Sequence, residues 1–151
     1  MMESRNPEYM TFIKGLLERA AFVSELGLRL VDASPGRCDS ELQVLPKHLQ
    51  QDGYVHAVAQ ATIADHTAGA AAGTIIAKGL LLLTVEFKIN LLRPGRGERL
   101  VCEARVLKPR RMLIVVEAEV YGTEEKRNIL VSKATVTMAA LEQRPPEGQH
   151  V

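Results

Sequence analysis

Apolar and polar residues change their spacing several times along this chain, and each change marks an element. Residues 7–25, PEYMTFIKGLLERAAFVSE, carry Phe12, Leu16, Arg19 or Ala20, and Val23 at helical spacing, with Pro7 where a first turn tolerates it. Residues 26–33 read as a short strand, and Pro35-Gly36 as a turn. Residues 37–45 alternate as a second strand, setting Cys38, Ser40, Leu42 and Val44 against Asp39, Glu41, Gln43 and Leu45. An irregular polar loop follows, containing His48, Gln50, Gln51, Asp52, Gly53 and His56. The block AVAQATIADHTAGAAAG then predicts a helix from Ala57 to about Ile76, closed by Gly79, because alanine is the best helix former. From Leu80 onward everything alternates. Residues 80–92 set Val85, Phe87, Ile89 and Leu91 against Thr84, Glu86, Lys88 and Asn90. Residues 99–107, 112–121 and 129–141 are three further strands, separated by RPGRGE, KPRR and GTEEKRN.

This order of helix, two strands, long helix and four meandering strands predicts an α+β fold with one antiparallel sheet of about six strands. The alanine-rich helix is unusually thin, with eight alanines and two glycines in residues 57–73. Side chains that small let a sheet curl closely around the helix. No linker or repeat divides the chain, so it reads as an N-terminal helical segment (1–25), one main domain (26–141) and a flexible tail (142–151).

Composition narrows the function classes. The chain has 151 residues, 46% hydrophobic and 25% charged, which suits one soluble domain with a real core. A net charge of +1 argues against a general nucleic-acid partner. Cys38 and Cys102 are too few for a disulfide framework, and the N-terminus carries no signal-peptide pattern, so a cytoplasmic setting is expected. The alanine-rich segment is too short for a membrane span and contains Gln60, Asp65 and His66.

Asp65 is the most informative single residue. Its neighbours on the same helix face are Ala61, Thr62, Ala68, Gly69 and Ala72. A carboxylate in such a stripe is either a surface or capping group, or a general base or nucleophile in a cleft. At the helix start, Ala57 and Val58 offer backbone amides to an oxygen gaining negative charge, as any helix start does. Ala57 and Asp65 are eight residues apart, roughly 12 Å along a helix. Acting on one carbonyl, they would have to come from two chains. His56 and His66 fit no metal-binding spacing, and no metal or cofactor is expected. The two cysteines read as core residues. Arg93, Arg96, Arg99, Lys108, Arg110 and Arg111 cluster at strand ends, where most serve solubility and a subset could meet phosphates.

The run LPKHLQQDGYVHAVAQATIADHTAGAAAGT, followed by LLTVEFKINLLRPGRGERLVCEARVLKPRR, resembles the hotdog-fold acyl-CoA thioesterases of the phenylacetate-degradation (PaaI-like) type. The resemblance spans about residues 26–141. It rests on a polar loop ending in Gly-x-x-His, an Ala-Asp pair about nine residues later, a strand TVEFKIN and the LRP turn after it. It implies a long helix wrapped by an antiparallel sheet, and a homodimer with two sites at the subunit interface, further paired as a dimer of dimers. By position, Asp65 matches the carboxylate that activates water or attacks the thioester, and Ala57 the residue whose amide polarises the carbonyl. Gln50 stands where many members have Asn and would position water or the carbonyl, Thr84 matches a water-assisting Ser/Thr, and His56 the motif histidine. Arg93, Arg110 and Arg111 are the candidates for the CoA phosphates. The chain departs from the family pattern in reading His56-Ala57-Val58 for His-Gly-Gly and Gln50 for Asn. The implied activity is hydrolysis of an acyl- or aryl-CoA; the alternative is a non-catalytic acyl-CoA-binding protein, with a hydratase behind both.

Overall fold

The computed structural model describes residues 2–110 and 112–143. Its elements are α1 (Tyr9–Arg19), α2 (Ala21–Leu26), β1 (Leu28–Ser34), β2 (Arg37–Gln43), α3 (Ala57–Gly73), β3 (Leu80–Leu91), β4 (Arg99–Pro109), β5 (Leu113–Glu124) and β6 (Arg127–Glu142). The six strands form one sheet in the order β1-β2-β4-β5-β6-β3, with every neighbouring pair antiparallel. The sheet packs its inner face on α3, and α1 packs on α3 as well. This is the hotdog arrangement that the resemblance implies.

Burial explains the small residues. Ala64, Ala68, Ala71, Ala72 and Thr67 are fully buried, and the helix lacks a polar side because protein surrounds it. A Cβ added to Gly73 would lie 3.1 Å from Phe12 Cε1 and 3.2 Å from Ile13 Cγ2; one on Gly69 would lie 3.3 Å from Met138 Cε. The two glycines mark where α1 and β6 press closest. The inner face of the sheet is equally slender, built from Cys38, Cys102, Ala104, Val116, Ala118, Ala134 and Val136. Both cysteines are free thiols of this core. Burial pushes the Cys38 thiol up to about 12 and raises that of Cys102 further.

Several boundaries differ from the periodicity. The helix expected over 7–25 breaks at Ala20, whose extended backbone starts α2. The buried stripe of α1 is Ile13 and Leu17 rather than Phe12 and Leu16. Continuing that helix would place Ala20 and Ser24 in the stripe; the break brings Val23 into the core instead. The central helix stops at Gly73 instead of near Ile76, because the buried Thr74 caps it. Its hydroxyl donates to the Ala71 carbonyl at 2.6 Å and accepts the Gly36 N–H at 2.7 Å. The expected GTEEKRN turn shrinks to Glu125-Lys126, both left-handed, with φ of 46° and 67°. β6 ends at Glu142, and most of the expected tail lies outside the described residues.

The most consequential difference is in β3. Strict alternation puts Thr84 on the polar face with Glu86, Lys88 and Asn90. A β-bulge between Thr84 and Glu86 shifts the pairing, so Thr84 lies opposite Met138 while Phe87 lies opposite Val136 and Ile89 opposite Ala134. One extra residue, Val85, reverses the parity of the strand and turns Thr84 to the helix side. β3 is also a sheet edge, which leaves Leu83, Val85, Phe87 and Leu91 exposed in the single chain.

Candidate active site

Asp65 and Thr84 are brought together. Asp65 stands half-buried on α3, and Thr84 Oγ1 donates to its Oδ1 at 2.8 Å. Thr84 Oγ1 also lies 3.4 Å from Met138 Sδ. With its proton on the carboxylate, the hydroxyl keeps its lone pairs free to accept a hydrogen bond from water.

The helix start builds a second group. Gln50, Tyr54, Val55, Ala57, Gln60, Leu91, Leu92, Arg93, Pro94 and Gly95 line a cleft of about 370 Å³. Gln50, Ala57 and Arg93 thus share one concavity. The Ala57 N–H takes no acceptor among the described residues. Val58 does not offer a second free amide, contrary to expectation. His56 is exposed and its Nδ1 accepts the Val58 N–H at 3.0 Å, so this histidine caps the helix. The Gln50 side-chain oxygen accepts the Asp52 N–H, and its backbone N–H donates to the Tyr54 carbonyl at 2.8 Å, which closes the loop on itself.

The arginines separate. Arg93 Nη1 donates to the Leu130 carbonyl at 2.9 Å beside the cleft. Next to it, Arg96 stacks on Tyr54 at 4.7 Å from the ring centre. Arg110 lies at the other end of α3, with Ile75, Ile76 and Leu80 in its neighbourhood. Arg93 and Arg110 of one chain therefore do not meet the same phosphate. Arg111 lies outside the described residues.

Two histidines are structural. His48 is buried, accepting the Leu45 N–H on Nδ1 at 2.9 Å and bonding to the Leu26 carbonyl through Nε2 at 2.8 Å. His66 sits by the Leu16 carbonyl of α1 and has its proton affinity lowered by burial. Sequence reasoning passes over Tyr54, Gln60 and Gly95 as members of the cleft. A single amide side chain at the third helical position after Ala57, in an otherwise apolar stretch, is the available signal for Gln60.

The family model described as Thioesterase superfamily matches residues 52–128, which hold the helix start, Asp65, Thr84 and Arg93. The chain belongs to the thioesterase superfamily. A thioesterase family protein from Silicibacter pomeroyi is 32% identical, with 89% of this chain and 99% of that one covered at a TM-score of 0.87. A conserved protein from Pseudomonas aeruginosa is 30% identical, covering 81% of this chain and 94% of that one at a TM-score of 0.73. The PaaI protein of the Escherichia coli phenylacetic acid degradation operon shares the fold, at 18% identity and a TM-score of 0.79, with 91% and 96% covered. No curated protein sequence matches. The enzyme is thus a thioester hydrolase on a hotdog fold. No described helix is long and apolar enough to cross a membrane.

Proposed function

We propose that this thioester hydrolase acts on acyl- or aryl-CoA, with Asp65 as the group that activates water or attacks the thioester. The observation that carries the reading is the Thr84–Asp65 hydrogen bond, because it orients a half-buried carboxylate and leaves a hydroxyl ready to receive water. In the reaction, Asp65 takes a proton from water and the hydroxide adds to the thioester carbonyl. The Ala57 N–H holds the resulting oxyanion. The C–S bond then breaks, the CoA sulfur leaves as thiolate and is protonated, and the acid is released. If Asp65 attacks directly, a mixed anhydride forms and water cleaves it. Gln50, which lines the cleft, positions the water or the carbonyl, His56 caps the helix start that carries the Ala57 amide, and Arg93 is the basic group of the cleft assigned to a phosphate of CoA.

The distance along α3 bears on assembly. Eight residues of helix, about 12 Å, separate the Ala57 amide from Asp65, too far for one carbonyl. A homodimer joined along β3, with Asp65 of one chain facing the Ala57 cleft of its partner, brings them together. The support for this is the unpaired edge of β3, twelve residues long, whose inner side carries Phe87 and Leu91 uncovered. A dimer of dimers and a cytoplasmic setting complete the proposal, the latter in keeping with the two free thiols.

Thiol release over a panel of aryl- and fatty-acyl-CoAs tests it. Turnover that Asp65→Ala abolishes is expected. Unchanged turnover in that variant refutes the mechanism, and tight acyl-CoA binding with no turnover selects a binding protein instead.

A further inference from the structure

Gln60 is 3% exposed, yet its side-chain Oε1 has no hydrogen-bond partner among the described residues. A bare buried acceptor is unfavourable, and a methionine of similar shape would avoid it. Packing alone therefore gives no reason for an amide here. Its other end does something specific. Nε2 donates to the Val55 carbonyl at 3.2 Å, while the Gln60 backbone N–H donates to the His56 carbonyl at 3.2 Å. One residue thus grips two successive carbonyls. The second belongs to the peptide unit whose N–H is that of Ala57.

The rest of the segment is held from outside. Val55 N–H donates to the Gly95 carbonyl at 2.8 Å, and His56 N–H to the His48 carbonyl at 2.8 Å. Gly95 lies against the amide: a Cβ there would stand 2.7 Å from Gln60 Nε2 and 3.0 Å from Val55 Cβ. The absence of a side chain at Gly95 is what lets the Gln60 amide reach Val55.

We propose that Gln60 is a positioning residue for the reaction, its side-chain amide holding the Val55 carbonyl and so setting the direction of the Ala57 N–H one peptide further on, alongside the backbone bond to His56 that any residue at position 60 makes. This rests on the proposed function, in which the Ala57 amide is the oxyanion donor. An amide aimed wrongly by a fraction of an ångström still lets substrate bind but no longer meets the oxyanion, so the loss falls on kcat.

The experiment compares wild type with Gln60→Met, which keeps shape and the backbone bond to His56 but removes the side-chain bond to Val55, and with Gly95→Ala, which pushes the amide off Val55 without altering it. Both variants are expected to lower kcat roughly 10- to 100-fold with KM within about twofold, while the melting midpoint of Gln60→Met stays within about 3 °C. Unchanged kcat in both variants overturns the inference, and so does a loss of kcat that only accompanies a collapse in midpoint. The Ala57 cross-peak in a ¹⁵N–¹H spectrum reads the same geometry without turnover. It should shift in Gln60→Met, and a peak that stays put overturns the inference. A wild type that hydrolyses no thioester refutes the proposed function, while the spectrum still decides the role of Gln60.

Discussion

Thr84 Oγ1 donates a 2.8 Å hydrogen bond to Asp65 Oδ1, joining a sheet edge to the central helix. The pair predicts a graded kinetic pattern. Asp65→Asn should lower kcat by about 10²- to 10⁴-fold, the usual contribution of a positioned base. Thr84→Val keeps the carboxylate but removes its donor, and should cost less, about tenfold. KM should move little in either case. Steady-state rates of both variants and their double mutant check this, and non-additive losses are expected because the residues act as a unit.

Isotope labelling separates the two roles open to Asp65. In a single turnover in H₂¹⁸O, a general base places ¹⁸O in the released acid and none in the protein. A nucleophile whose anhydride is cleaved at the Asp65 carbonyl leaves ¹⁸O on the side chain. Mass spectrometry of the peptide carrying Asp65 distinguishes them.

Assembly along β3 is open to a charge test. Phe87 is 43% exposed in the single chain, on the inner side of the free edge. Phe87→Glu should dissociate the dimer in light scattering and abolish turnover, because each site draws on two chains. An active, monomeric Phe87→Glu protein would contradict the shared site.

His66 predicts an acid limb in stability. Burial holds its pKa below the ordinary value of 6.5, outweighing the nearby Asp65 carboxylate and the Leu16 carbonyl. The unfolded chain therefore binds the proton more readily. The corresponding stability is present above pH 6.5 and is lost as pH falls through the lower folded pKa. His66→Gln should flatten the melting midpoint over that interval. An equally steep acid limb in the variant would assign it to other groups.

The β5–β6 hairpin offers a stabilising change. Glu125 and Lys126 both occupy left-handed backbone, a geometry that favours Asn-Gly. Replacing the pair by Asn-Gly should raise stability by about 1 kcal/mol, read as a higher midpoint in thermal unfolding with kcat unaltered.

Much of this architecture is legible from period and composition. Alternating positions mark five of the six strands, β1 being read only as a short extended segment before the Pro35-Gly36 turn, and the alanine block marks the central helix and its tight enclosure. Asp65 stands out as a charge among small residues. Thr84 is placed by family likeness but, by alternation, on the wrong face. A β-bulge has no spacing signature within its own strand, since it is defined by the partner across the ladder, here Met138 and Thr137. The break at Ala20 is equally hidden, because alanine suits a helix and only the docking of Val23 opposes its continuation. Val58 escapes for a third reason. Whether a first-turn amide is free depends on the rotamer of the preceding side chain, and His56 turns back to occupy it.

The close fit around α3 also decides how this chain can vary. Ala64, Ala68, Ala71 and Ala72 have no exposed surface, and a Cβ added at Gly69 or Gly73 would press on Met138 or on the α1 side chains Phe12 and Ile13. Enlarging any of them crowds a full interior, at roughly 1–3 kcal/mol each. Variation that retunes the enzyme is therefore channelled away from the helix interior and into the loop before it, the β3 edge and the RPG turn. A saturation scan should show α3 as a band of intolerance interrupted at Ala57, Val58 and Thr62, whose side chains are not buried.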